Sequence, residues 1–598
     1  MQGDTRSFFR LFRLPLALVI LLAPFDPGPV HYAHVTVTAL AVLTLLLLAW
    51  WRGPAPLDRR LRPMALVTGL FVLALLASVL LATDLFLWRY GLTLHVTGIL
   101  FGAALLAAGL NSAGWGWALG AAVGVGVLQS AWGLIQSFGG FGEFDGRAYG
   151  SFSTPNLFAG FVAFLLVCLL ALFTATPASQ RGRKLALAGL LNLHYGALVV
   201  SGSRGGWVAL LVGVVALGLL WRRSSGSGLL PAIGRRWALG LLASLALTTV
   251  IVVTGHQGVG APGQRLEQMA SLARPEWMLK GSSQQPGPPA TGWGVRLRIW
   301  ESAWTMITAH PLGVGLMNFS VQYPRYKYEG FLYELHHYAH NDYLQLWTEV
   351  GPAGPLLLLL LVVLTVRAAL RRLGAVNPGD PHAMGLPLVL AGLTVLLTQS
   401  LVDFGLYTTP YLLVFWGLLG YLWSRVVEAG RPLPDLALSG TRSGLARPLA
   451  WAAAALWGLW VLDPYLATML SERGAGLYQA GRLEEAGTLW QAAAAIDPVG
   501  PSYHHNLALV RWRMGALDAA QAHLAAALRR APYDADSALA LARLQLQRLL
   551  RGEAGRWQAA ETVLRRALTW DPLNLRLQAA LKELAELEGQ GDRATGRR

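Results

Sequence analysis

Residues 336–372 read "HHYAHNDYLQLWTEVGPAGPLLLLLLVVLTVRAALRR". The first half crowds His336, His337 and His340 with Asp342, Glu349 and two amides. Gly351 and Gly354 follow, and then an apolar run approaching the roughly 20 residues that cross a bilayer. That run ends in Arg367, Arg371 and Arg372. Lysine and arginine favour the cytoplasmic end of a span, so this stretch predicts a membrane helix with its titratable cluster at the outer lip.

The same alternation of apolar run and basic cluster extends along the chain. Of 598 residues, 54% are hydrophobic and 13% charged, against about 25% charged in a soluble domain; mean hydropathy is +0.45. Runs near 13–24, 31–51, 64–82, 85–110, 115–137, 156–174, 185–201, 205–221, 237–254, 352–370, 385–401, 408–424 and 450–468 predict about thirteen spans. Alternate connections carry the basic residues: Arg6, Arg10 and Arg13; Arg52, Arg59, Arg60 and Arg62; Arg181, Arg183 and Lys184; Arg222, Arg223, Arg235 and Arg236; then the 367–372 group; then Arg425, Arg431, Arg442 and Arg447. The opposite short connections hold Arg89, Arg147 and Arg204. The first set is therefore expected in the cytoplasm. The connection 255–351 and the tail after about Asp463 are expected outside it.

The N-terminus "MQGDTRSFFRLFRLPLALVILLAPFDPGP" has the basic start and short apolar core of a signal peptide. Prolines and an aspartate stand where a small-residue cleavage site would, so a retained first span is expected. The net charge of +16 lies in short clusters between apolar runs rather than on one basic face, and no nucleic-acid partner is expected. Cys168, within an apolar run, leaves neither an internal disulfide nor a cysteine metal site.

The composition changes after residue 469, dividing a membrane domain (1–469) from an alanine-, leucine- and arginine-rich tail (470–598). "GAGLYQAGRLEEAGTLWQAAAAIDP", "LALVRWRMGALDAAQAHLAAALRRAP" and "GRWQAAETVLRRALTWDP" share a helical pattern closed by proline. The first two are preceded or interrupted by a glycine turn, and Pro498 and Pro532 lie one 34-residue period apart. This resembles the tetratricopeptide repeat, whose helix pairs stack into a solenoid that binds peptides or proteins. The alternative role is to cap or stiffen the membrane domain. Asp534 and Asp536 sit at a repeat boundary, where an aspartate serves as helix N-cap.

Within 255–351, "GWGVRLRIWESAWTMITAHPLGVGLMNF" predicts a helix over about 296–308, stopped by a turn at Pro311, Gly313 and Gly315. Arg296 and Trp300 share one face of it. A histidine pair at i, i+4 could share a metal, but no HExxH is present and no third ligand suggests itself; no metal is expected. "SGSRGGW" sets Arg204 between two apolar runs, and "DGRAYGSFSTPNLFAG" sets Arg147 and Asn156 at the mouth of a span. An arginine within a span costs about 2.5–3.5 kcal/mol on insertion scales and is expected to face a cavity or an anion. Snorkelling to the interface is the simpler alternative for both arginines, and loop-to-helix punctuation the simpler one for Gly351 and Gly354.

Together these motifs resemble the O-antigen ligase and polymerase superfamily. "HNDYLQLWTEVGPAG" is similar to its His-Asn signature with two spaced glycines, through His340, Asn341, Gly351 and Gly354. Three further segments, 147–160, 201–207 and 296–319, resemble its other motifs in the same order. The resemblance covers roughly residues 10–425; the added last span and the tail depart from simpler ligases. It implies an all-α, GT-C-like polytopic bundle in a bacterial cytoplasmic membrane. It also implies glycan transfer from an undecaprenyl-diphosphate carrier to a glycolipid, glycan or protein acceptor at the outer face, without metal or cofactor. In that reading His340 is the general base, and Arg204 and Arg296 bind the diphosphate. Arg147, Arg265, Arg298 and Asn156 are supporting candidates. The alternatives are a polymerase of lipid-linked units, a protein O-oligosaccharyltransferase and, in a different class, a glycan-lipid transporter or an assembly scaffold.

Overall fold

The computed structural model describes residues 5–25, 32–51, 58–110, 112–141, 146–255, 293–328, 337–374, 385–428, 443–553 and 555–595. All regular structure among them is helical. Among the described residues, eleven helices are long and apolar enough to cross a membrane. The membrane region comprises α1 (Thr5–Leu22), α2 (Tyr32–Trp51), α3 (Arg62–Ala77), α4 (Leu85–Ala107), α5 (Ser112–Gly139), α6 (Pro155–Ala175), α7 (Arg181–Ser201), α8 (Arg204–Ser225) and α9 (Arg235–Gly255). The long connection after α9 supplies α10 (Trp293–Ala309) and α11 (Asp342–Val350), and the bundle resumes with α12 (Ala353–Gly374), α13 (Gly385–Gln399), α14 (Thr409–Glu428) and α15 (Ser443–Gln479). The thirteen expected spans are all helical. Two of them, Leu11–Leu22 within α1 and Gly385–Gln399, are shorter than a full crossing.

Helix α6 is apolar all round, and such a helix belongs in the middle of a bundle. Thr154 caps it by accepting the Leu157 N–H, and Pro155 occupies the first turn, where no N–H is needed. Nearly all of it is buried. Helix α9 is also apolar but peripheral, and exposes Leu239, Leu242, Leu247, Val250 and Ile251 as a lipid-facing helix would. Between α4 and α14 the backbones touch: a Cβ at Gly102 would lie 2.7 Å from the Trp416 carbonyl oxygen, and one at Gly420 would lie 2.8 Å from that of Gly102. Small residues permit this approach where no hydrophobic force drives helices together.

The tail consists of helix pairs, as its repeat predicts: the end of α15 with α16 (Leu483–Ile496), α17 (Pro501–Arg513) with α18 (Leu517–Arg530), and α19 (Ala535–Leu550) with α20 (Arg556–Leu568). Helix α21 (Leu575–Thr595) follows. Helix α15 runs unbroken from the last apolar span into the first repeat, across residues 469 and 470. Asp534 is the N-cap of α19 and accepts the Asp536 N–H.

Candidate functional site

His340 stands at the entrance to α11 in the left-handed region, with φ +51°. A non-glycine residue there costs on the order of 1–3 kcal/mol and persists only when its surroundings hold it. Here they do. Trp300, on α10, donates Nε1 to the Ala339 carbonyl at 2.9 Å. The Ala339 N–H donates to Gln345 Oε1 at 2.8 Å. Asn341 is the N-cap of α11 and accepts the Leu344 N–H at 3.0 Å. The signature asparagine thus fixes the helix start, and the histidine preceding it is turned outward from that start.

The His340 ring packs edge-on against Phe404, 5.1 Å between centroids. Its Nδ1 lies 3.2 Å from Asp403 Oδ1, which also accepts the Phe404 N–H. The Asp403 side chain is 1% exposed and that of His340 25% exposed, so the imidazole connects a buried carboxylate to open space. Among the described residues Asp403 Oδ2 makes no hydrogen bond, and it faces the Arg296 guanidinium at 4.0 Å. Arg296 and Trp300, expected on one face of α10, both serve this site. Arg298 points elsewhere, pairing with Glu301 at 2.8 Å and covering the Tyr328 ring.

A second set of motifs meets behind Asp403. Arg147 donates Nε to the Ser201 carbonyl at 2.7 Å and a terminal nitrogen to Asn156 Oδ1 at 3.1 Å, joining the ends of α6 and α7. Gln399 Nε2 donates to the Asn156 carbonyl at 3.1 Å. In "SGSRGGW", Gly202 ends α7 with φ +60° and Ser203 caps α8. A Cβ at Gly205 would lie 3.0 Å from Val402 and one at Gly206 2.7 Å from Ala159. Arg204 opens α8 half-buried, beside the loop that carries Asp403. Among the described residues no hydrogen bond or ion pair engages it.

Gly351 and Gly354 serve packing. With φ +73°, Gly351 lets the chain turn where a Cβ would meet the Leu312 carbonyl oxygen at 2.7 Å; a Cβ at Gly354 would meet Leu346 at 2.8 Å. The "HPLGVG" turn is stitched against the end of α11 by Val314 N–H to Thr348 O and Gly315 N–H to Glu349 O. Beneath it Glu349 is fully buried. One oxygen accepts Met317 N–H at 2.8 Å and Tyr407 OH at 2.9 Å; the other accepts Phe319 N–H at 3.3 Å and Gln345 Nε2 at 3.1 Å. Burial outweighs these four donors and pushes its carboxyl up to about 7.

Arg265 and His336 lie outside the described residues, and no group of three His, Cys, Asp or Glu side chains suited to a metal occurs among the described ones. Asp403 and the Glu349–Tyr407 contact escape the sequence reading. The available signal for Asp403 was an aspartate standing between two apolar runs in "QSLVDFGLYTTP".

Residues 186–360, which include Arg204, Arg296, His340, Gly351 and Gly354, match the model of the O-Antigen ligase family. Over this segment the chain is similar to an O-antigen ligase domain. Residues 474–515 match a TPR repeat. The match supports a lipid-linked glycan transfer function in general, in a chain whose apolar helices suit a multi-pass membrane protein and whose tail is TPR-like. No curated protein matches the chain. Among solved structures, the first TPR of Spaghetti (RPAP3) bound to HSP90 peptide SRMEEVD is similar at 17% identity, covering 21% of this chain and 95% of that one, with a TM-score of 0.19.

Proposed function

We propose that the protein transfers a preassembled glycan from an undecaprenyl-diphosphate carrier to a glycolipid or protein acceptor at the outer face of a bacterial cytoplasmic membrane. The observation that carries this reading is the His340–Asp403 pair facing Arg296 where the long connection meets the bundle. With Nδ1–H directed at Asp403, Nε2 is the nitrogen suited to accept a proton. It takes that proton from the acceptor hydroxyl as the oxygen attacks the anomeric carbon. The bond between that carbon and the diphosphate oxygen breaks, and the carrier diphosphate leaves. Asp403 stabilises the resulting imidazolium. Arg296, and Arg204 from the opening of α8, meet the leaving anion with forked hydrogen bonds. The arginines supply the positive charge, and no metal takes part in this scheme. Arg147 supports the site by joining α6 and α7 and touches no reactant.

The test compares glycan transfer in cells carrying His340→Ala, His337→Ala and His336→Ala at equal membrane abundance. His340→Ala should abolish transfer and accumulate full-length lipid-linked glycan, while the other two retain most of it. Retained transfer in His340→Ala overturns the assignment. Accumulation of single lipid-linked repeat units would identify a polymerase, and transfer lost to chelators would overturn the metal-free scheme.

A further inference from the structure

The turns that close three successive repeats all dock on the membrane domain, at the end that carries His340. After α16, Asp497 receives Arg89 at 3.1 Å, and both side chains are buried. After α18, the Tyr533 hydroxyl donates to Asp84. After α20, Asp571 holds Lys327 Nζ with its two oxygens at 2.9 and 3.1 Å. Beside it the Arg325 guanidinium lies 3.6 Å from the Trp570 ring centroid. Side-chain exposure of Lys327 is 2%, so this pair is not a loose surface contact.

The docked residues are not scattered over the bundle. Asp84 gives its backbone N–H to Asn318 Oδ1 at 2.7 Å and receives Asn318 Nδ2 on its carbonyl at 3.1 Å. Arg325 donates to Gln322, which donates to Thr83. The stretch 314–327 is thus tied at one end to the repeats and at the other, through Val314, Gly315, Met317 and Phe319, to the end of α11. The opposite end of that helix carries His340.

We propose that the tail is a built-in clamp for the His340 loop, with Asp571, Trp570 and Tyr533 as positioning residues for transfer. The role in transfer rests on the function proposed above; the clamp itself does not. The repeats fix the stretch 314–327 from outside, that stretch fixes Glu349, and α11 holds the imidazole in register with Asp403.

The test uses the full chain in membranes, with Lys327→Asp, Asp571→Lys and the double swap. Each single variant should raise amide exchange across Phe319–Lys327 at least about fivefold and lower transferred glycan per embedded protein about tenfold. The double swap, which restores the ion pair in reverse, should recover both. Unchanged exchange in both single variants overturns the clamp. So does faster exchange with full transfer, which would leave the contact structural, or a double swap as impaired as either single. If the unaltered protein transfers no glycan, the proposed function fails while the exchange measurement still decides the clamp.

Discussion

Helix α11 has a carboxylate cluster at each end, and the two are built in opposite ways. At the C-terminal end, each oxygen of Glu349 accepts two hydrogen bonds and no solvent reaches it. At the N-terminal end, Asp403 has one oxygen shared between His340 and a backbone N–H. Its other oxygen has no hydrogen bond among the described residues and looks toward Arg296. A saturated buried acid holds backbone in place and has no capacity left for a ligand. An acid with an unused acceptor, an arginine and a half-open imidazole has capacity to spare. The difference separates architecture from chemistry within a single short helix.

Asp403→Asn attacks the chemical end and should have the largest effect among the substitutions considered next. The amide oxygen can still accept from Nδ1–H, so the ring keeps its place. The negative charge that stabilises the imidazolium is gone, and the new NH2 group opposes Arg296. Transfer should fall on the order of 10²-fold, the lower end of what a positioned acid–base pair contributes, with little change in melting temperature. Near-normal transfer would remove Asp403 from the site. Arg296→Lys and Arg204→Lys come next. Each keeps the charge but loses the fork, and one lost charge-assisted hydrogen bond corresponds to about a tenfold drop. Arg298→Ala is the contrast: its exposed i, i+3 partner contributes little, and transfer should change less than about twofold. Equal losses in Arg296→Lys and Arg298→Ala would mean that α10 contributes bulk charge and no specific ligand.

The spans were legible because the apolar runs are long, and the helical tail because its period is regular. His340 and Arg204 stood out because polar residues at the lip of a span need a reason, and Arg296 because its segment resembles a family motif. Asp403 did not, because its partner lies 63 positions earlier and no local spacing links the two. Arg296 and Arg298 looked alike as neighbours in "VRLRIW"; two positions along a helix turn side chains to nearly opposite faces, and the surroundings chose between them. Gly351 and Gly354 were legible as punctuation, but what they fit against is Leu312 and Leu346. The docking turns of the tail were readable as repeat boundaries and not as contacts, since a buried ion pair such as Lys327–Asp571 has no sequence period.

Glu349→Gln tests the architectural end and should act on stability more than on rate. The amide has one oxygen and one NH2 group. Whichever way it lies, one atom that accepted two donors becomes a donor facing a backbone N–H, either Met317 or Phe319. Tyr407 can rotate to accept; the backbone N–H cannot. A buried unsatisfied donor costs about 1–3 kcal/mol, visible as a lower melting temperature in detergent. The pH dependence makes the prediction specific. Burial raises the carboxyl from 4.5 to about 7, so between those values the folded chain binds more protons than the unfolded one. Stability therefore falls as pH rises through that window and levels off above about 7. Glutamine does not titrate, and its melting curve should lack this component. The gap between the two proteins should be widest below about pH 4.5 and should narrow steadily toward pH 8. A gap that widens toward pH 8 would mean that the four donors, and not burial, govern Glu349, and that the ionised acid is the stabilising form.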